Sequence, residues 1–208
     1  MIVYCFLCAF FLVLTLLGEG TDRPVLRVVA KPAASLSFVG AGLAAGILAE
    51  PFGVAVFVAL LLSLAGDVLL IPKDSRLCFV AGLGSFLLAH VAFSVGIVIT
   101  GRVSWPLSAG VLLPFGLLAW GIARWLLPSV AARMKAPVLA YIVVITAMVV
   151  LAWSCCTTWL LAPAAATLFF LSDISVAIDR FRGGGFGNRL WGLPAYYIAQ
   201  LLFVFSVS

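Results

Sequence analysis

The sequence predicts an all-α polytopic membrane protein of eight transmembrane helices, and three observations carry that prediction. The 208-residue chain is 65% hydrophobic and only 9% charged, with a mean hydropathy of +1.30. A soluble domain is nearer a quarter charged, so little room is left for one. Apolar runs long enough to span a bilayer, about 17–25 residues each, recur from one end of the chain to the other. The basic residues gather in alternate connections, as the positive-inside rule requires of a chain that crosses repeatedly. The net charge of +5 does not point to nucleic acid, because those basic residues sit singly in short loops.

The runs fall at 1–17, 28–48, 54–71, 77–100, 108–127, 137–155, 158–178 and 192–207, and are expected to form one transmembrane domain over 1–208. The first run has no basic n-region and no small-residue cleavage site before Gly18–Glu19–Gly20, so it reads as a helix rather than a signal peptide. Lys31–Pro32 is expected to open the second run, and Lys135–Ala136–Pro137 the sixth. The third holds SLAGDVLL, the fourth FVAGLGSFLLAH, the seventh LFFLSDISVAIDRF and the eighth YYIAQLL.

Eight runs put the first–second, third–fourth, fifth–sixth and seventh–eighth connections on one side. Arg23, Arg27, Lys31, Lys73, Arg76, Arg124, Arg133, Lys135, Arg180, Arg182 and Arg189 lie there, which leaves only Arg102 of the 12 basic residues on the other. The rule then sets both termini on the non-cytoplasmic side.

A carboxylate in hydrocarbon costs about 2.5–3.5 kcal/mol even on lenient insertion scales, and such residues are usually functional. The chain has two. Asp67 lies roughly 6 Å, and Asp173 roughly 8 Å, from the cytoplasmic ends of the third and seventh runs at 1.5 Å per residue. They are therefore expected at one depth, near a cavity opening toward the cytoplasmic leaflet. Ser63, Gly66, Asp67 and Leu70 follow helical spacing on one face, as do Gly82, Phe86 and His90. Tyr196 and Gln200 are four apart on the eighth run, with Tyr197 three from Gln200. Asp179 points elsewhere, beside Arg180 and Arg182, and reads as a solvated charge at the membrane edge. The glycines of RGGGFGNR read as a flexible turn whose arginines face lipid phosphates.

The two halves look related. Asp67 and Asp173 are offset by 106 residues, the difference between 67 and 173, and LLAHVAF resembles YIAQLLF so that His90 aligns with Gln200. Four helices is an even number, so a duplicated half keeps its orientation and gives a parallel 4+4 repeat.

With these residues in hand, the chain resembles the YhhN-like lysoplasmalogenase family of integral membrane hydrolases. The resemblance rests on Lys31–Pro32, SLAGDVLL around Asp67, FVAGLGSFLLAH ending at His90, FFLSDISVAIDRF around Asp173 and YYIAQLL around Gln200. It implies hydrolysis of the vinyl ether bond of lysoplasmalogens, such as lysoplasmenylethanolamine or -choline, to a fatty aldehyde and a glycerophospho head group.

Such hydrolysis needs an acid to protonate the alkene carbon and a carboxylate to stabilise the resulting oxocarbenium ion and activate water. Asp67 and Asp173 sharing one proton suit that task, as paired carboxylates do in glycosidases. Lys31, Ser63, His90, Ser172, Tyr196, Tyr197 and Gln200 are the expected supporting or substrate-binding groups. The plainer readings are snorkelling for Lys31, interhelical hydrogen bonding for His90 and interface anchoring for the tyrosines. A small carrier that binds a proton or cation at the same aspartates is the alternative function. No metal and no other cofactor is expected, since the chain has one histidine. Its five cysteines suggest no disulfide framework. The expected partners are a lysophospholipid substrate and membrane lipids, with no nucleic acid and with homo-oligomerisation left open. A bacterial inner membrane is the expected location.

Overall fold

The computed structural model describes residues 1–72 and 75–207. Among them the chain forms eight α-helices and no strand: α1 (Ile2–Gly20), α2 (Pro24–Ala44), α3 (Pro51–Leu69), α4 (Arg76–Thr100), α5 (Trp105–Leu126), α6 (Ala132–Ser154), α7 (Ala162–Phe181) and α8 (Phe186–Phe205). Lys73, one of the basic residues counted above, lies outside the described residues.

Seven of these helices, α1 to α7, are long and apolar enough to cross a membrane, so the chain is an integral membrane protein. The eighth is not among them. Its 20 residues include Asn188, Arg189, Pro194, Tyr196, Tyr197 and Gln200, which dilute an otherwise apolar helix.

The helix starts follow local chemistry. Pro24 and Pro51 stand in the first turns of α2 and α3, where a missing N–H costs nothing. Ser75 caps α4 by accepting from the Cys78 N–H at 3.2 Å. Two expectations are corrected here. Lys31–Pro32 and Lys135–Ala136–Pro137 lie inside α2 and α6 rather than at their openings. The reason is that each helix starts earlier, at Pro24 and at Ala132. Helix α8 likewise begins at Phe186 rather than 192, after Gly183 turns the chain at φ +70°. That extra length brings Asn188 and Arg189 onto a helix.

Helix α3 packs along α4 and α7 along α8, while α6 touches α4 and α8 touches α1, α2 and α3. Their shared interior holds an aromatic core in which Phe93 and Phe203 stack at 3.8 Å between ring centroids. Gly66 allows a close approach of α3 to α4, since a Cβ there would stand 2.6 Å from the Phe86 ring. Helix α5 is peripheral: only Ala119 and Leu126 are buried, and Leu112, Leu113, Leu117 and Trp120 are exposed. An apolar face of that kind belongs in lipid rather than in water.

Candidate functional site

Asp67, near the end of α3, is 2% exposed and is the more fully satisfied of the two carboxylates. Lys31 of α2 brings its Nζ to 3.1 Å from Oδ1. Ser35, one turn further along α2, donates its hydroxyl to Oδ2 at 2.7 Å, and Tyr196 of α8 donates to the same oxygen at 2.6 Å. Hydrogen bonds to charged groups contribute roughly 1.5–3 kcal/mol each. Two of them beside an ammonium offset the insertion cost of the carboxylate. Tyr197 braces the cluster from behind by donating to the Lys31 carbonyl at 3.2 Å.

Asp173 of α7 sits in a sparser setting. Tyr141 of α6 donates to its Oδ2 at 2.8 Å. His90 of α4, fully buried, brings Nε2 to 3.5 Å from the same oxygen without completing a hydrogen bond. Among the described residues, Lys31 thus stands on Asp67, and no lysine or arginine stands on Asp173.

Both aspartates line one cavity of about 350 Å³, within the ordinary range of small-molecule pockets. Its wall is largely apolar, with Phe79, Leu83, Phe86, Ile145 and Phe170 among the lining side chains. Lys31, Ser172 and Tyr196 also face it. The Ser172 hydroxyl is already committed to the Phe169 carbonyl at 2.7 Å. Ser63, His90, Tyr197 and Gln200 are buried but are not in the lining. Of the expected site residues, the cavity therefore gathers Asp67, Asp173, Lys31, Ser172 and Tyr196, with the other four behind its wall.

A second charged group lines the same cavity. Arg189 of α8 donates from Nε to Asp179 Oδ2 at 2.8 Å and pairs through Nη1 with Glu19 at the end of α1. Asn188 donates to the other Asp179 oxygen at 2.9 Å, and Arg27 approaches Glu19 at 3.4 Å. This corrects the reading of Asp179 as a solvated charge: it is a partner in a network across α1, α2, α7 and α8. The arginines near the glycine turn are engaged as well. Arg182 caps the Trp125 carbonyl at 3.2 Å and lies over the Trp125 ring, and Arg180 lies over Phe79.

Sequence reasoning missed Ser35, Tyr141 and Glu19. Nothing local marks Ser35 or Tyr141, because each has its partner 32 residues further along the chain.

A helical membrane protein that sets a buried Asp67 and a partly buried Asp173 on a largely apolar cavity falls into the class of membrane proteins with a built polar site inside the bundle. The chain belongs to the YhhN family, whose model matches residues 26–207. Among curated proteins it is similar to the lysoplasmalogenase of Mycobacterium bovis (strain ATCC BAA-935 / AF2122/97) and that of Mycobacterium tuberculosis (strain CDC 1551 / Oshkosh). Each is 32% identical over 169 residues, covering 77% of this chain and 64% of the relative. The chain thus spans less than two thirds of the length of these relatives. No solved structure matches it.

Proposed function

We propose that the protein is a lysoplasmalogenase that hydrolyses the vinyl ether bond of a lysoplasmalogen with Asp67 and Asp173 as its paired acid and base. The observation that carries this reading is that Asp67 and Asp173, from different helices, line one largely apolar cavity apart from the Arg189 network, with Lys31 on Asp67 and, among the described residues, no lysine or arginine on Asp173. Lys31 complements an ionised Asp67, so Asp67 is the carboxylate of the pair and Asp173 the acid. The Asp173 proton passes to the alkene carbon, and the ether oxygen stabilises the resulting oxocarbenium ion. Water adds to that ion and gives its proton to Asp67. As the hemiacetal breaks its bond to the glycerol oxygen, Asp67 gives that oxygen its proton and the hemiacetal hydroxyl gives its own to Asp173, so the fatty aldehyde leaves and both carboxyl groups return to their starting states. The lysine and the hydroxyls of Ser35, Tyr196 and Tyr141 hold the two carboxylates in place throughout.

The remaining expectations extend the same reading. The basic connections face the cytoplasm, both termini lie on the opposite side, and the cavity opens to the cytoplasmic leaflet of a bacterial inner membrane, where the lysophospholipid enters. The two halves are a parallel 4+4 repeat. Its support is that α3 touches α4 as α7 touches α8, α2 touches α3 as α6 touches α7, and α4 touches α6 as α8 touches α2. In an experimentally determined structure, α2–α4 is expected to superpose on α6–α8 with Asp67 over Asp173; any other register ends the repeat.

The test of function is aldehyde release from lysoplasmenylethanolamine by detergent-purified protein, beside Asp67→Asn and Asp173→Asn. Release by the wild type that both monodisperse variants lack supports the pair. A wild type without aldehyde release, or with release that survives in both variants, overturns it.

A further inference from the structure

Among the described residues, seven buried side-chain polar atoms complete no hydrogen bond, and five of them belong to three residues, Ser63 (Oγ), His90 (both ring nitrogens) and Gln200 (both amide atoms), whose polar neighbours include the Phe86 carbonyl beside His90 and the Tyr196 hydroxyl beside Gln200. All three residues are 0% exposed. Buried polar groups in folded proteins are nearly always satisfied, by protein or by ordered water. Their positions make them one group rather than three accidents.

Each is one helical turn from a residue in the cavity wall. Ser63 is four residues before Asp67 on α3, His90 four after Phe86 on α4, and Gln200 four after Tyr196 on α8. The wall residues share one layer, because Tyr196 bonds Asp67 at 2.6 Å and its ring meets Phe86 at 5.8 Å. Helix α3 runs against α4 and α8, so a step of four back on α3 and four forward on the others leads the same way. The next layer on is closed by Phe93 and Phe203, three residues past His90 and Gln200, stacked at 3.8 Å. Phe169 seals the side at 4.6 Å from the His90 ring. The donor and acceptor set matches water: a hydroxyl, an imidazole that offers one donor and one acceptor, and an amide that offers both.

We propose that Ser63, His90 and Gln200 form a closed water-binding chamber behind the catalytic carboxylates, on the side away from the lipid cavity, and that it supplies the water consumed in hydrolysis. None of the three lines the cavity, while His90 reaches to 3.5 Å from Asp173. A lipid that fills the apolar cavity displaces its water, so the nucleophile has to come from the opposite face of the reacting carbon. The oxygen of the chamber water forms the new bond to the oxocarbenium carbon, and its proton goes to Asp67. The amide and hydroxyl act as positioning groups for that water. The catalytic half of this proposal rests on the lysoplasmalogenase reading; the chamber itself does not.

The experiment is hydroxyl-radical footprinting of the full chain in lipid nanodiscs, read by mass spectrometry at single residues. Radicals generated from bound water label neighbouring side chains even where bulk solvent has no access. Phe203 and Phe169 are expected to label at least tenfold faster than Phe52, which is equally buried but stacked on Trp159, whose single unpartnered indole N–H stands against the five polar atoms of the chamber. Gln200→Met, close in shape to the native side chain, and Ser63→Ala should each bring that labelling down toward Phe52. They should also cut kcat at least tenfold, with KM within twofold. Equal labelling of Phe203 and Phe52 in the wild type overturns the chamber. Strong labelling with an unchanged kcat in Gln200→Met overturns its role as water source. Strong labelling in a wild type that releases no aldehyde defeats the lysoplasmalogenase reading and leaves the chamber standing.

Discussion

Ser35 stands to Asp67 as Tyr141 stands to Asp173. In each case a hydroxyl on one helix donates to the Oδ2 of a carboxylate 32 residues further along, at 2.7 Å and 2.8 Å. The two donors are themselves offset by 106, the same separation as the aspartates. What differs is the company. Lys31, one turn before Ser35, supplies a cation to Asp67, and the position one turn before Tyr141 is Pro137, which supplies none.

That asymmetry ranks two conservative substitutions. Asp67 retains Lys31 and Tyr196 when Ser35 is lost, whereas Asp173 without Tyr141 retains only the distant His90. Tyr141→Phe is expected to lower kcat by roughly 10–100-fold, the equivalent of one hydrogen bond to the charge that develops on Asp173 as it gives up its proton, and Ser35→Ala by less. Steady-state kinetics on the two variants checks the order, and a greater loss in Ser35→Ala contradicts it.

The Lys31–Asp67 pair predicts a stability cycle. Removing one member of a buried ion pair costs about 3–5 kcal/mol because a charge is left alone, while removing both is often nearly neutral. Lys31 is more exposed than its partner, at 15% against 3%, so Lys31→Met should fall at the low end of that range. The double variant Lys31→Met/Asp67→Asn should recover most of the lost stability and none of the activity. Thermal unfolding in detergent measures the first, aldehyde release the second. A double variant as unstable as the sum of its parts refutes the pairing.

Gly66 and Gly116 make a matched pair of helix glycines. A Cβ at Gly66 meets the Phe86 ring at 2.6 Å, beside Asp67, while one at Gly116 meets nothing within 4 Å. Gly66→Ala is expected to destabilise by about 1–3 kcal/mol through overpacking and to reduce activity with it. Gly116→Ala should stabilise by roughly 0.5–1 kcal/mol through helix propensity with activity unchanged. Differential scanning fluorimetry and the aldehyde assay distinguish the two.

Arg189 answers to both Glu19 and Asp179. Arg189→Ala leaves two partly buried carboxylates without that guanidinium, and a loss of about 1–3 kcal/mol is expected. Arg189→Lys has one point charge in place of a fork that reaches two partners, so it should recover only part of the loss. Full recovery by lysine would mean that charge alone matters there.

Much of this was legible from local pattern. Apolar runs located the helices, and a carboxylate inside such a run announces its own cost, which is why Asp67 and Asp173 stood out. Ser35 and Tyr141 announce nothing, since a serine or tyrosine in a membrane helix is unremarkable until its partner is known. Asp179 was misread because α8 seemed to begin at residue 192. Its earlier start puts Asn188 and Arg189 against the end of α7. Glu19 and Arg189 are 170 residues apart, and no local pattern links positions so remote.

The order of the partners along the chain also bears on how the protein is made. A ribosome synthesises Lys31 and Ser35 before Asp67, and His90 and Tyr141 before Asp173. Each acid therefore leaves the ribosome when a helix able to receive it has already been threaded into the bilayer. Only Tyr196, on the last helix, arrives afterwards. Biogenesis can then proceed helix by helix with neither Asp67 nor Asp173 waiting alone in lipid for its first partner to be translated.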